Sequence, residues 1–207
     1  MKGTFITIEG TDGTGKSTQI ALLAEFLRQK GLPVVLTREP GGTPIGEKIR
    51  QILLDVENGD MTPSTEALLY AASRAQHVSQ TIRPALEAGA VVICDRFYDS
   101  SVVYQAYGRG LGEAMVQSIN QWALDGLEPD CTLLFTLPPK KALDRASKDH
   151  TPDRLEQEGL SFQETVYEAY QALAKAAPNR VVAVDASQSV EEVAKDVQQA
   201  VWSRLKR

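Results

Sequence analysis

The chain has 207 residues, 43% of them hydrophobic and 24% charged, the size and composition of one folded domain and not of a disordered chain. With 22 basic and 27 acidic residues the net charge is −5, which argues against a dedicated nucleic-acid binder, so any anionic ligand has to be met by local arginines and lysines. No apolar run approaches the roughly 20 residues of a membrane span, and Met1–Ile8 lacks the apolar core and cleavage site of a secretion signal, so the expectation is a cytoplasmic protein with no membrane partner.

Strands and helices alternate along the chain. Thr4–Ile8 reads as a strand, and glycines separate it from a helix over Lys16–Lys30 whose Ile20, Leu23, Ala24 and Leu27 share one face, with Gly31 as its left-handed cap. Val34–Leu36 is a second strand, followed by a Pro/Gly-rich elbow at Arg38–Thr43 and a short helix carrying Arg50. Thr62 and Pro63 open a helix that runs to about Val78. Ala90–Cys94, Cys131–Phe135 and Val181–Val184 supply three more strands. Further helices are expected near Gly112–Leu124, Pro139–Ser147, Phe162–Ala176 and Val190–Leu205. The strands are continuous apolar runs, which implies helices on both sheet faces, hence a doubly wound, three-layer α/β fold with a parallel sheet of about five strands. No long linker interrupts residues 1–207, so a single domain is expected, with mobile flaps in the elbow region (about 38–80) and in a charged, helix-poor segment near 145–159 that holds Lys148, His150, Pro152 and Arg154. Cys94 and Cys131 fall in strand-like stretches without metal-ligand spacing and read as core residues in a reducing compartment.

The strongest motif is Gly10-Thr11-Asp12-Gly13-Thr14-Gly15-Lys16-Ser17, followed by Thr18. It fits the phosphate-binding loop G-x-x-x-x-G-K-[ST] and lies between a strand and a helix. Glycines let the backbone N–H groups turn inward around a phosphate, and the helix N-terminus adds positive potential. Lys16 is then the bridge between the β- and γ-phosphates of a nucleoside triphosphate, and the Ser17 hydroxyl a ligand of Mg²⁺. The guanine-reading N-K-x-D signature is absent, which argues against a GTPase switch.

Asp95 and Arg96 follow the third strand, at the carboxyl edge where such sheets bind ligands. An acid there can hold Mg²⁺ and an arginine can take a phosphate, although a strand-end salt bridge has the same pattern. Tyr70 and Arg74, four residues apart on one helix, share a face suited to stacking a base and gripping its edge; a partly buried tyrosine beside an exposed arginine is the simpler alternative. Arg50 adds a charge to the same acceptor or belongs to the surface.

Thr37-Arg38-Glu39-Pro40-Gly41-Gly42-Thr43, Asp95-Arg96-Phe97 and Asp153-Arg154-Leu155-Glu156, with the phosphate-binding loop, resemble the marks of bacterial thymidylate kinases over essentially the whole chain. The resemblance implies a P-loop NTPase fold of the nucleoside monophosphate kinase type, a homodimer, and the reaction ATP + dTMP → ADP + dTDP with Mg²⁺. It implies that Asp12 contacts the acceptor sugar, that Glu39 lies near acceptor and metal, and that Arg50, Arg74 and Arg96 surround the acceptor phosphate and base. Tyr70 falls where the family stacks phenylalanine on thymine, and Ser101, Tyr104 and Gln105 match the stretch that reads the base and crowds the 2′ position. Phe97 stands where tyrosine or histidine is commoner. Some members place an arginine in the loop after the acid, where this chain has Gly13, so the catalytic arginine is expected in the lid: Arg154 first, then Arg145, with Lys148 as a weaker substitute. Loss of Arg154 is expected to lower kcat with little cost in stability. The alternatives are a kinase for UMP, CMP or AMP, and a regulatory NTPase; the converging arginines argue against the latter, which has no second phosphate to hold.

Overall fold

The computed structural model describes residues 3–146 and 153–205. Five strands, β1 (Thr4–Glu9), β2 (Val34–Arg38), β3 (Val91–Asp95), β4 (Cys131–Thr136) and β5 (Val181–Asp185), form one all-parallel sheet in the order β2-β3-β1-β4-β5. β1 is central and pairs Ile6 with both Ile93 and Cys131. From β1 the chain passes to the edge strand β2, returns to β3 beside β1, and crosses to β4 and β5 on the other side, which opens a crevice at the carboxyl edge of β1 and β3.

The residues of β1 alternate between two environments, as the pleat requires. Ile6 and Ile8 join Val91, Ile93, Leu133 and Phe135 in a core closed by Leu23, Ala24 and Leu27 of α1 (Lys16–Gln29) and by Val193, Val197 and Val201 of a long C-terminal helix, Val190–Leu205. On the opposite face Phe5, Val92 and Cys94 pack under Val78, Ile82 and Leu86. Leu134 and Val181 meet Val103, Tyr104, Val166, Ala169 and Tyr170. Cys94 and Cys131 are free, buried thiols whose ionisation burial pushes up, so they behave as small apolar residues.

The remaining helices are α2 (Pro44–Leu54), α3 (Pro63–His77), α4 (Arg83–Glu87), α5 (Tyr98–Ser101), α6 (Glu113–Leu124), α7 (Pro139–Ala146) and α8 (Leu160–Ala176), before the C-terminal α9. Thr43 and Thr62 cap α2 and α3, each accepting from the backbone N–H three residues on, with proline in the first turn. Three features differ from the periodicity. The helix expected to stop near Val78 continues through a π-helical turn at Val78–Ile82 into α4. Pro84 has no N–H to give an α-helical ladder, and the wider turn precedes it. A second π-helical run, Val102–Gly108, extends α5 through a stretch whose paired serines and valines carry no strong helical signal. Finally, β2 is a half-exposed edge, with Leu36 42% exposed, so its apolar run is not covered on both faces. Ser147, the expected end of the seventh helix, and Lys148, His150 and Pro152 lie outside the described residues.

The two leucine environments give different expected costs of truncation. Leu27→Ala, at a fully enclosed site, lowers unfolding free energy by about 2–5 kcal/mol in urea titrations, whereas Leu36→Ala on the edge strand costs under about 1 kcal/mol.

Candidate functional site

β1 ends at Glu9 and the chain turns through residues 10–15 into α1, which starts at Lys16. Gly13 has φ +78°, and a Cβ there would collide with the carbonyl oxygen of Ala142 in α7, so the position is closed to any side chain. Gly15, also left-handed, precedes α1 without a side-chain cap, which leaves the first N–H groups of the helix facing the loop. Thr14 Oγ1 donates to the Thr11 carbonyl at 2.8 Å and tightens the turn. The Lys16 ammonium donates to the carbonyls of Gly10 (3.1 Å) and Thr11 (2.8 Å) and lies 3.5 Å from Asp12 Oδ1. Burial, then the Arg96 charge, pulls the Lys16 pKa below its ordinary value.

Beside this loop, β3 delivers Asp95 and Arg96. Arg96 is one of two non-glycine residues among those described with positive φ (+65°), a sparsely populated backbone state of the kind that clusters at functional sites. Its guanidinium donates to Asp12 Oδ1 at 2.8 Å and to Ser100 Oγ at 3.4 Å and lies over the Tyr104 ring, 5.3 Å from its centre. Burial alone would raise the Asp12 pKa, but Arg96 and Lys16 hold it well below the carboxylate range. Asp95 Oδ1 is buried without a hydrogen-bond partner among the described residues.

The facing wall comes from the elbow, α2, α3 and the π-helical run. The Glu39–Pro40 peptide is cis, and Glu39 points inward, where Oε2 accepts from Arg74 Nε and Oε1 lies 3.0 Å from His77 Nδ1. Arg74 also donates to Ser101 Oγ, Asn120 Oδ1 and the Phe97 carbonyl, and stacks on the Phe97 ring. Phe97 is itself core, edge-on to Phe5. Arg50 donates to the Pro40 carbonyl, and burial together with neighbouring Arg38 lowers its pKa, the mark of cations held close. Gln105 is fixed by the hydrogen bond that its Nε2 donates to Glu66 Oε1 at 2.9 Å.

These groups meet in one cleft of about 430 Å³. Asp12, Gly13, Gly15, Lys16, Ser17, Thr18, Glu39, Arg50, Tyr70, Arg74, Asp95, Arg96, Ser101, Tyr104 and Gln105 all line it. Of the loop residues expected at a nucleotide, Gly10, Thr11 and Thr14 lie behind the lining and shape it. Tyr70 and Arg74 do share the cleft-facing side of α3, but Arg74 is not an exposed grip: its N–H groups are spent on protein acceptors. Arg38, Ser100, Asp153, Glu156 and Gln163 line the cleft without having been singled out. Arg38 could have been read from the elbow motif that contains it; Gln163, on α8, has no local signal.

The lid arginines are not brought to the cleft. Arg154 is 7% exposed; its Nε donates to the Leu53 carbonyl (2.8 Å) and its Nη2 to Glu66 Oε2 (2.6 Å). Glu66 also receives Arg109, and these bonds hold its pKa down against burial. Arg145 is exposed and donates to the Ala186 carbonyl. Lys148 lies outside the described residues. Asp153, Leu155 and Glu156, next to Arg154 in the chain, line the cleft instead.

A family model for thymidylate kinase matches residues 8–197. A thymidylate kinase of Exiguobacterium sp. is 50% identical over 207 residues, all of this chain and 98% of that protein. Those of Halalkalibacterium halodurans (49% over 206 residues, 99% of this chain and 98% of that protein) and Symbiobacterium thermophilum (52% over 203, 98% and 94%) are similarly close.

The buried setting of Arg154 corrects the expectation that its loss leaves stability almost untouched. Arg154→Ala strips a cation from the buried Glu66 carboxylate and is expected to cost about 2–4 kcal/mol by denaturant titration, with Glu66→Gln in the same background restoring part of that loss.

Proposed function

The chain belongs to the thymidylate kinase family, nucleoside monophosphate kinases that phosphorylate dTMP with ATP as donor, and from that membership we propose how its cleft divides the work. The observation that carries the division is that Lys16, Arg50 and Arg96 line a single cleft with Tyr70 and Tyr104. In a chain of net charge −5, such a local gathering of cations suits two phosphorylated ligands and one base.

On the donor side, residues 10–18 surround the ATP phosphates with backbone N–H groups, and Lys16 neutralises charge between β- and γ-phosphates. Mg²⁺ fits Asp95 and Ser17: the unpartnered buried Asp95 oxygen is an acceptor of the kind a hard cation takes, and the exposed Ser17 hydroxyl lines the same cleft. Bound there, the ion supplies charge neutralisation to the donor phosphates. On the acceptor side Tyr70 stacks on the base, Ser101, Tyr104 and Gln105 fix its edge and the sugar, and Arg50 faces the acceptor phosphate. Glu39 serves this wall through Arg74, because both its oxygens are engaged by Arg74 and His77.

Arg96 stands between the two halves. Its link to Asp12 ties it to the donor loop, and its place over Tyr104 ties it to the acceptor wall. An acceptor phosphate is mostly ionised at neutral pH, its second pKa being about 6, so no general base is required and the residues act by alignment and charge neutralisation. Arg154 serves as lid cation only if its pair with Glu66 opens, since Nε and Nη2 are both committed; Arg145 sits at the base of the lid.

Residues 1–207 act as one kinase unit, in the cytoplasm. Among the described residues no helix is long and apolar enough to cross a membrane. The working form is a homodimer, supported by Leu68 on α3 and Met115 and Trp122 on the adjoining α6, which are exposed at 56%, 41% and 90%.

A coupled assay of ADP release over dTMP, dUMP, UMP, CMP and AMP with MgATP is expected to give dTMP the highest kcat/KM, by about tenfold or more; a better acceptor elsewhere in the panel overturns the acceptor reading. In sedimentation experiments Leu68→Glu with Trp122→Glu is expected to turn a dimeric species into a monomer, and an unchanged mass would reject this surface as the interface.

A further inference from the structure

We propose that Glu9, at the buried end of β1, is a positioning residue for Arg96. It does not line the cleft and touches neither ligand site, yet it is wholly enclosed and accepts three hydrogen bonds. Oε1 accepts from the backbone N–H of Phe97 at 2.8 Å. Oε2 accepts from Ser100 Oγ at 2.6 Å and from Tyr170 Oη at 2.8 Å. Two of these donors bear directly on Arg96. Phe97 is its chain neighbour, so its N–H anchors the backbone beside the left-handed Arg96. Ser100 is the residue to which Arg96 Nη1 donates, so a relay runs from the guanidinium through the Ser100 hydroxyl to Glu9 Oε2.

The chemistry favours an acid here over its amide. Two hydroxyls donate to one oxygen, and a glutamine nitrogen in that place would confront both with N–H groups. Ser100 would have to turn its own hydrogen elsewhere, towards the guanidinium that now donates to it. Arg96 is further held by its own N–H on the Ile8 carbonyl (2.9 Å), by the Cys94 thiol donating to its carbonyl (3.0 Å), by Asp12, which faces it from the loop, and by the Tyr104 ring beneath it. Glu9 thus helps to set the backbone and sets one edge of the guanidinium, while Asp12 sets the other edge. A carboxylate enclosed among donors and aimed at a strained residue is a support from beneath, reaching the cleft through Phe97, Ser100 and Arg96 while Tyr170 ties it to α8.

This inference rests on the reading that Arg96 contacts the transferring phosphates, and a double-mutant cycle separates the two. Steady-state kcat and both KM values are measured for wild type, Glu9→Gln, Arg96→Ala and the double variant, with melting curves to verify folding. Glu9→Gln is expected to lower kcat about tenfold, with KM for ATP within about twofold, and to cost less than about twofold once Arg96 is already alanine. Effects that multiply in full overturn the proposal and make Glu9 a general structural stitch, as does a Glu9→Gln enzyme with wild-type kcat. An Arg96→Ala enzyme with wild-type kcat overturns the underlying reading of Arg96 and the proposal with it. Should Glu9→Gln fail to fold, Ser100→Ala breaks the same relay and enters the same cycle, with the same outcomes deciding.

Discussion

A guanidinium that is 1% exposed has to find acceptors for its N–H groups inside the protein, and the cleft wall facing the glycine loop is arranged around that requirement. Arg74 finds them on Glu39 in the elbow, Ser101 in α5, the Phe97 carbonyl after β3 and Asn120 in α6. Three segments far apart in sequence, the elbow, the stretch from Phe97 to Ser101 and α6, are thereby fixed to one side chain of α3. His77, one turn later, takes the second Glu39 oxygen and is itself held by Thr37 at 2.6 Å. Glu39, before the cis peptide, is therefore held at both carboxylate oxygens, and beyond it the Gly41 N–H donates to Ser73 Oγ. The rigidity of the elbow comes from buried charge and not from apolar packing, which is thin in a loop rich in proline and glycine.

The same economy of buried polar groups divides the sheet. One face of β1 feeds a continuous apolar core with α1 and α9; the other is parted into two clusters. Between them run Thr7 and Thr132, joined at 2.7 Å, then Asp99 and Arg180. Glu9 lies on the same face of β1, and burial together with the nearby Asp99 charge raises its pKa to about 7. This polar seam leads to the crevice, so the groups that shape the cleft from beneath belong to a network anchored in the sheet.

The frame was legible from sequence because it follows from simple periodicities. Five apolar strands, the glycine loop and the cap at Thr62 each carry a local signal, and the cleft gathers nearly every residue drawn from the motifs. What sequence could not convey is where a charged side chain spends its hydrogen bonds. Arg74 and Arg154 look alike as helix or loop arginines, yet one is locked under the acceptor wall and the other is turned away onto Glu66. Glu9 and Glu66 read as a strand-end and a helical acid, and only the packing of α8 and of the π-helical run makes them hubs. The π-helical turns escaped for a related reason: a single widened turn leaves the apolar pattern almost unchanged, while tertiary contacts pay for the weaker hydrogen bonds.

The close approach of the Ala142 carbonyl to Gly13 links two choices that seem independent. α7 is the root from which the lid segment departs, and it rests backbone to backbone against the phosphate-binding loop. A side chain at position 13 would lift that root off its seat. An arginine in the loop and this tight hinge are thus mutually exclusive, and a chain that keeps glycine there is committed to drawing any further cation from outside the loop. The seat also makes the glycine loop and α7 mechanically continuous, so that a shift of α7 is felt at residues 10–15.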